Sequence, residues 1–193
     1  MNKQRLLTIA ALLLSLPAVC AAQIQPTYET SRSYLRSTVS TLPEATGRPL
    51  LQYLDAGRVA ADEGMRLCAE GKWDALYESM AANFKAKYSL EQFRQLSRMF
   101  EESVGRVVSY EYRNQSLSYP IDDSPMTVLS SLTKAKSDVW YALRTGKQNY
   151  EGIFMKVTTV REGGKHIVSF INLVDYSAKM PPWLHRDAPA APK

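Results

Sequence analysis

Cysteine and histidine are the scarce reactive residues of this 193-residue chain, with two of each. Two cysteines exclude a disulfide-dense scaffold and any four-cysteine zinc module. His166 and His185, the second in a proline-rich tail, are too far apart in sequence to spell a metal motif. There is no glycine-rich phosphate loop, no Gly-x-Ser-x-Gly elbow and no His-Glu-x-x-His, so the common nucleotide, serine-hydrolase and metallopeptidase signatures are missing. A large excess of one charge is lacking too: 24 Lys and Arg stand against 19 Asp and Glu, a net +5. Such a balance is no nucleic-acid footprint. What is present is a globular composition. With 45% hydrophobic and 22% charged residues, the chain cannot be wholly disordered, collagen-like or a coiled-coil rod. Its length suits one domain with terminal segments.

The N-terminus carries a three-part export signal. Lys3 and Arg5 precede the apolar run Leu6 to Leu16, Pro17 breaks it, and the small residues Ala18 to Ala22 follow. The apolar run is too short for a stable membrane-spanning helix and reads as a signal peptide over residues 1–22. Cleavage after Ala22 removes two cations and no acids, leaving a mature charge of +3. Lipidation at Cys20 is the alternative, which Val19 and Pro17 fit poorly. The mature chain then keeps one thiol, Cys68, expected to be buried on an apolar helix face. The location expected is the bacterial periplasm or the medium.

Residues 23–47 are polar, with Pro26, Pro43 and Gly47 as breakers, and read as a leader in which Tyr28, Tyr34, Leu35, Val39 and Leu42 are spaced for a short helix. Leu50, Leu51, Leu54, Ala61, Met65 and Cys68 then recur at helical spacing, interrupted by Gly57 and Gly64. Trp73, Leu76, Tyr77, Met80 and Phe84 predict a second helix. Ser89 and Gln92 form a capping box for a third, faced by Phe93, Leu96, Phe100 and Val104 and stopped by Gly105. The period then falls to two. Val108, Tyr110 and Tyr112 alternate with polar neighbours, and residues 114–127 read as a loop with Pro120, Asp122, Asp123 and Pro125. Strand patterns return around Tyr141, Met155 and Ile171, with turns at Gly146 and Gly163-Gly164. On the last strand, His166, Val168, Phe170, Asn172 and Val174 are expected to share one face. The expectation is an α+β domain over 48–178, three N-terminal helices on a bent antiparallel sheet, then a Pro/Ala-rich tail, 179–193.

The run Gly71-Lys72-Trp73-Asp74, then Phe84, Ser89-Leu90-Glu91-Gln92-Phe93 and Val104-Gly105-Arg106-Val107, resembles the helical half of nuclear transport factor 2-like domains. Small exported bacterial families of that superfamily without an assigned function are the nearest in kind. The closing run Phe170 to Val174 fits the same pattern, so the resemblance spans residues 50–176. It implies a cone, with the sheet curled around the helices and a pocket at the open end. It does not imply one function, because the fold hosts isomerases, dehydratases, cyclases and binding modules.

Enzymes of that superfamily keep a carboxylate or histidine in the cone as a proton shuttle. Here the candidates are Asp138, His166 and Asp175, beside Tyr110, Tyr112 and Tyr141. His166 follows a hairpin turn, where exposure is the default, and no acid/base pattern of a known member is matched. A Cys68–His166 nucleophile pair would require the thiol to leave an apolar face. Tyr110, Tyr112, Trp140 and Tyr141, with Tyr150 nearby, offer an aromatic surface for a small apolar ligand or an envelope protein. Trp140 and Tyr141 point to opposite faces, so at most one lines a pocket. Trp183 anchors either the tail or a partner. The reading is therefore an exported, non-enzymatic binding or accessory domain, with no cofactor, metal or nucleic acid and with homodimerisation open. The alternative is an isomerase or dehydratase using an acid/base pair inside the cone, such as Asp138 or His166 beside a tyrosine.

Overall fold

Helix α2 (Glu44–Ala69) carries Gly57, Ala61 and Gly64 on its buried side, a strip with almost no side-chain height. The strip lets the helix settle onto a five-stranded open sheet and touch four of its strands in turn. The computed structural model describes residues 31–120, 129, 132–147 and 152–175. The signal segment with Cys20, Tyr28, Asp122-Asp123, Tyr150, Trp183 and the tail 179–193 lie outside the described residues, as does the side chain of Asp175.

The elements run β1 (Ser31–Leu35), α1 (Arg36–Val39), α2, α3 (Trp73–Ser79), α4 (Ala82–Lys85), α5 (Leu90–Val104), β2 (Val107–Pro120), β3 (Lys136–Thr145), β4 (Ile153–Glu162) and β5 (Lys165–Asp175). Strands lie in sequence order, and β2 to β5 pair antiparallel. The architecture is α+β, with helices packed on the sheet. The described residues from Arg32 to Asp175 belong to one compact unit. Residues 31–47, the end of the segment read as a leader, supply β1, the short helix α1 and the first turn of α2. Gly47 lies inside that turn, packed against the carbonyls of Val39 and Leu42.

One core cluster joins Met65, Cys68, Leu76 and Phe93 of the helices to Val139, Tyr141, Met155, Val157 and Val168 of the sheet. A second gathers Val39, Leu50, Tyr53, Leu54, Leu117 and Tyr119. Cys68 is buried, as expected. The Ser89–Gln92 capping box forms at the start of α5, and Gly105 ends that helix at φ 89°. Among the described residues no helix is long and apolar enough to cross a membrane.

Several expectations are corrected. The helix expected over Trp73 to Phe84 is two helices, because Met80 is extended and the Ala81 N–H donates to the Val168 carbonyl of β5 at 2.8 Å. Strand β2 runs through residues 114–120, expected as loop. There Gln115, Leu117 and Tyr119 continue the helix-facing side, while Ser116 and Ser118 fill the other. Val108 sits at a bulge and is 61% exposed rather than sharing the face of Tyr110. A further bulge at Ser169 breaks the expected common face of β5. Val168 and His166 turn toward α2, while Asn172 and Val174 pair across from Lys156 and Phe154 on the far side.

Alanine normally improves a helix over glycine by up to about 1 kcal/mol. At Gly57 an added Cβ would stand 2.7 Å from Ser137 Cβ and 2.8 Å from Thr159 Oγ1. Gly57→Ala is therefore expected to destabilise by about 1–3 kcal/mol, the range for overpacking. Urea unfolding checks the sign, and Ser137→Gly should recover part of the loss.

Candidate functional site

The β2–β3 register places Tyr112 opposite Tyr141 and Tyr110 opposite Leu143, so all three tyrosines face α2. From the flank of that helix, Arg58 and Asp62, one turn apart, reach toward them. Arg58 Nε donates to Asp62 Oδ1 at 2.8 Å and to Oδ2 at 2.9 Å. Its guanidinium carbon lies 3.7 Å from the Tyr112 ring centroid and 5.7 Å from that of Tyr141. Tyr141 donates its hydroxyl hydrogen to Asp62 Oδ1 at 2.6 Å. Tyr110 stands edge-on to Tyr141, with centroids 5.6 Å apart. Tyr141 is buried, but the Arg58 and Asp62 side chains keep 31% and 43% of their surface, so solvent reaches the seam.

The protonation states follow from these contacts. Burial pushes the Tyr141 hydroxyl up first, and the hydrogen bond to Asp62 adds to that. Burial and then the Asp62 charge raise Tyr110 in the same way. Both stay protonated donors near neutral pH. Asp62 accepts from Arg58 and Tyr141 and is not positioned as a free base. Neither Nη group of Arg58 nor the Tyr110 hydroxyl has a hydrogen-bond partner among the described residues. The seam therefore presents donors and a cation beside a carboxylate already paired with the arginine and Tyr141.

The other predicted residues fall elsewhere. Asp138 and Trp140 are on the sheet face turned away from α2. Asp138 is buried, accepting from Ser118 Oγ at 2.7 Å and from Thr158 Oγ1, and Ser118 in turn shares a hydrogen bond with Ser33 at 2.8 Å. Lys156 Nζ lies 5.7 Å from the Trp140 ring centroid. His166 is not the exposed hairpin residue expected. Its ring packs against Tyr53, centroids 4.3 Å apart, and burial first and Arg161 second lower its pKa. Asp138 and His166 thus occupy opposite faces: Asp138 meets serine and threonine hydroxyls, and His166 meets the ring of Tyr53, whose hydroxyl donates to the Ala135 carbonyl. Cys68 is pushed up to about 12, mainly by burial, and stays a thiol.

A concavity of about 550 Å³ opens between Trp73 and Ser97, but its cations are committed. Lys72 pairs with Glu70 at 2.8 Å, Arg94 with Asp74 at 2.6 Å and Arg98 with Glu91 at 3.1 Å. Among the described residues there is no cluster of three metal-ligating side chains. Sequence reasoning found the tyrosines and missed Arg58 and Asp62. Their i,i+4 spacing was the available signal, and on a helix it ordinarily marks a solvated ion pair. The chain matches no family model, no curated protein and no solved structure.

Two measurements follow from this geometry. In a double-mutant cycle, Tyr141→Phe and Asp62→Asn should couple by about 1–2 kcal/mol, as expected for a hydrogen bond to a charged group. Additive effects would show the bond contributes nothing. For His166, the folded state holds the imidazole below its ordinary 6.5, so on acidification the unfolded chain binds the proton first. Stability should fall as pH drops below about 6.5 and level off once folded His166 protonates. His166→Gln should flatten that acid limb, and an unchanged limb would assign it to other groups.

Proposed function

We propose that the chain is an exported binding domain with no chemistry of its own, taking a ligand or partner at the helix-covered side of the sheet. The observation that carries this is the seam itself: Arg58 and Tyr110 keep donors uncommitted, while Asp62 is already occupied. A catalytic cone needs a free base beside a donor. The isomerase or dehydratase alternative relied on Asp138 or His166 beside a tyrosine; Asp138 accepts from Ser118 and Thr158 instead, and Tyr53, whose ring lies beside His166, donates its hydroxyl hydrogen to the Ala135 carbonyl. The signal-like residues 1–22 support export to the periplasm or medium. A nuclear transport factor 2-like cone belongs to the same reading. Helices that precede an antiparallel meander and pack on it support that assignment.

Native mass spectrometry of residues 23–193, purified gently from periplasmic extract, tests the proposal. A stoichiometric adduct, small molecule or protein, that disappears on denaturation is the expected result. A bare chain across repeated preparations would count against a binding role.

A further inference from the structure

Resting on the binding reading above, we infer that the seam is a receptor for the carboxylate of a small monoanionic ligand, held by the Nη groups of Arg58 and the hydroxyl of Tyr110. The argument begins with how the guanidinium is spent. Asp62 takes only its Nε–H, and the Tyr112 ring, 3.7 Å from the guanidinium carbon, covers one flat face. The edge carrying both Nη groups remains, a planar fork of the geometry that pairs with carboxylate oxygens.

Tyr110 supplies the third donor. Its ring and the Arg58 guanidinium share Tyr141 as a neighbour, at 5.6 Å and 5.7 Å from that ring. Buried Tyr141 is thus a neighbour of both, and the Arg58 charge acts on Tyr110. The aromatic surface of Tyr110 suits an apolar ligand body, which the carboxylate would orient.

The charge of the ligand is limited by the balance of charges nearby. Asp62 is bound directly to Arg58, and around Tyr110 the acids Asp62 and Glu63 are offset by Arg66 and Arg58, so the seam has no surplus of positive charge for a dianion. These carboxylates oppose a phosphate dianion more strongly than a single negative charge. A planar monoanion fits both the fork and the local field.

The test titrates the mature chain, residues 23–193, with benzoate, its neutral isostere benzamide and phenyl phosphate, read by tyrosine resonances in NMR spectra. Saturable benzoate binding is expected, with benzamide at least about tenfold weaker and phenyl phosphate no tighter. Arg58→Lys keeps the charge but removes the fork and should weaken benzoate by about tenfold. Tyr110→Phe, which leaves the Arg58–Asp62 pair untouched, should cost about three- to tenfold and reads alone if Arg58→Lys fails to fold. No saturable benzoate binding, equal binding of benzamide, tighter phenyl phosphate, or wild-type affinity in a folded Arg58→Lys or in Tyr110→Phe would each overturn the inference. A native adduct that survives Arg58→Lys would leave the binding domain standing and remove only the carboxylate site.

Discussion

The depth at which α2 sits on the sheet governs the rest of the structure. Gly57 meets Ser137 and Thr159 at distances no side chain could occupy, and Gly64 leaves room for Val168. Glycines inside a helix sacrifice backbone propensity, so their presence at the contact needs a compensating gain. The gain is reach. Because the helix lies low, Gln115 of β2 can donate to the Leu54 carbonyl, Tyr53 can donate to the Ala135 carbonyl, and Tyr141 can donate to Asp62. A helix lifted by one methyl group would strain all three. Helix packing and the polar seam are consequences of one spacing.

The fold also disposes of its buried polar groups in a way that bears on function. Gln115 is almost wholly buried, yet it donates to Leu54 and Ser137 and accepts from Arg36. Asp138 is a buried carboxylate whose oxygens accept from serine and threonine hydroxyls on the neighbouring strands β2 and β4. With Ser33 added, the chain of bonds ties β1, β2, β3 and β4 across one face. A carboxylate so placed stabilises the sheet, because losing its donors would leave a buried charge unsatisfied. Asp62 is similarly occupied on the other face. Asp138, the acid expected to transfer protons, is held by the sheet instead.

Sequence and structure agree where local signals are sufficient. The Ser89–Gln92 box, the period-two pattern of Tyr110 and Tyr112 and the apolar setting of Cys68 all depend on near neighbours in the chain. Disagreement arises where tertiary contacts decide. Apolar spacing from Trp73 to Phe84 is continuous, and only the bond from Ala81 to β5 splits the helix. The serines after Asn114 resemble loop chemistry, but Ser116 and Ser118 face inward on the Asp138 side, where polar residues are satisfied. At Ser169 one inserted residue reverses the facing of everything after it, which alternation cannot foresee. Arg58 and Asp62 look like an ordinary helical pair until the strands place Tyr112 and Tyr141 beside them.

The arginines along α2 show why that placement matters. Arg66 uses Nε and Nη2 on Glu63 and Nη1 on Glu70, so every edge of its guanidinium is engaged. Arg36, docked against the same helix, places Nη2 on Asp55 and Nη1 on Gln115. Arg58 belongs to the same residue type and helix flank, but Tyr112 covers a face of its guanidinium. The ring packs the cation without consuming a donor, as a carboxylate would. An exposed pair such as Arg66–Glu63 contributes little to stability, because water competes for both partners. Arg58 keeps less of its side chain exposed than Arg66, 31% against 46%, so water competes somewhat less for its open donors. The sheet has therefore set an aromatic ring beside the Arg58–Asp62 pair, and Arg58 keeps both Nη groups where Arg66 and Arg36 spend theirs on acids and an amide.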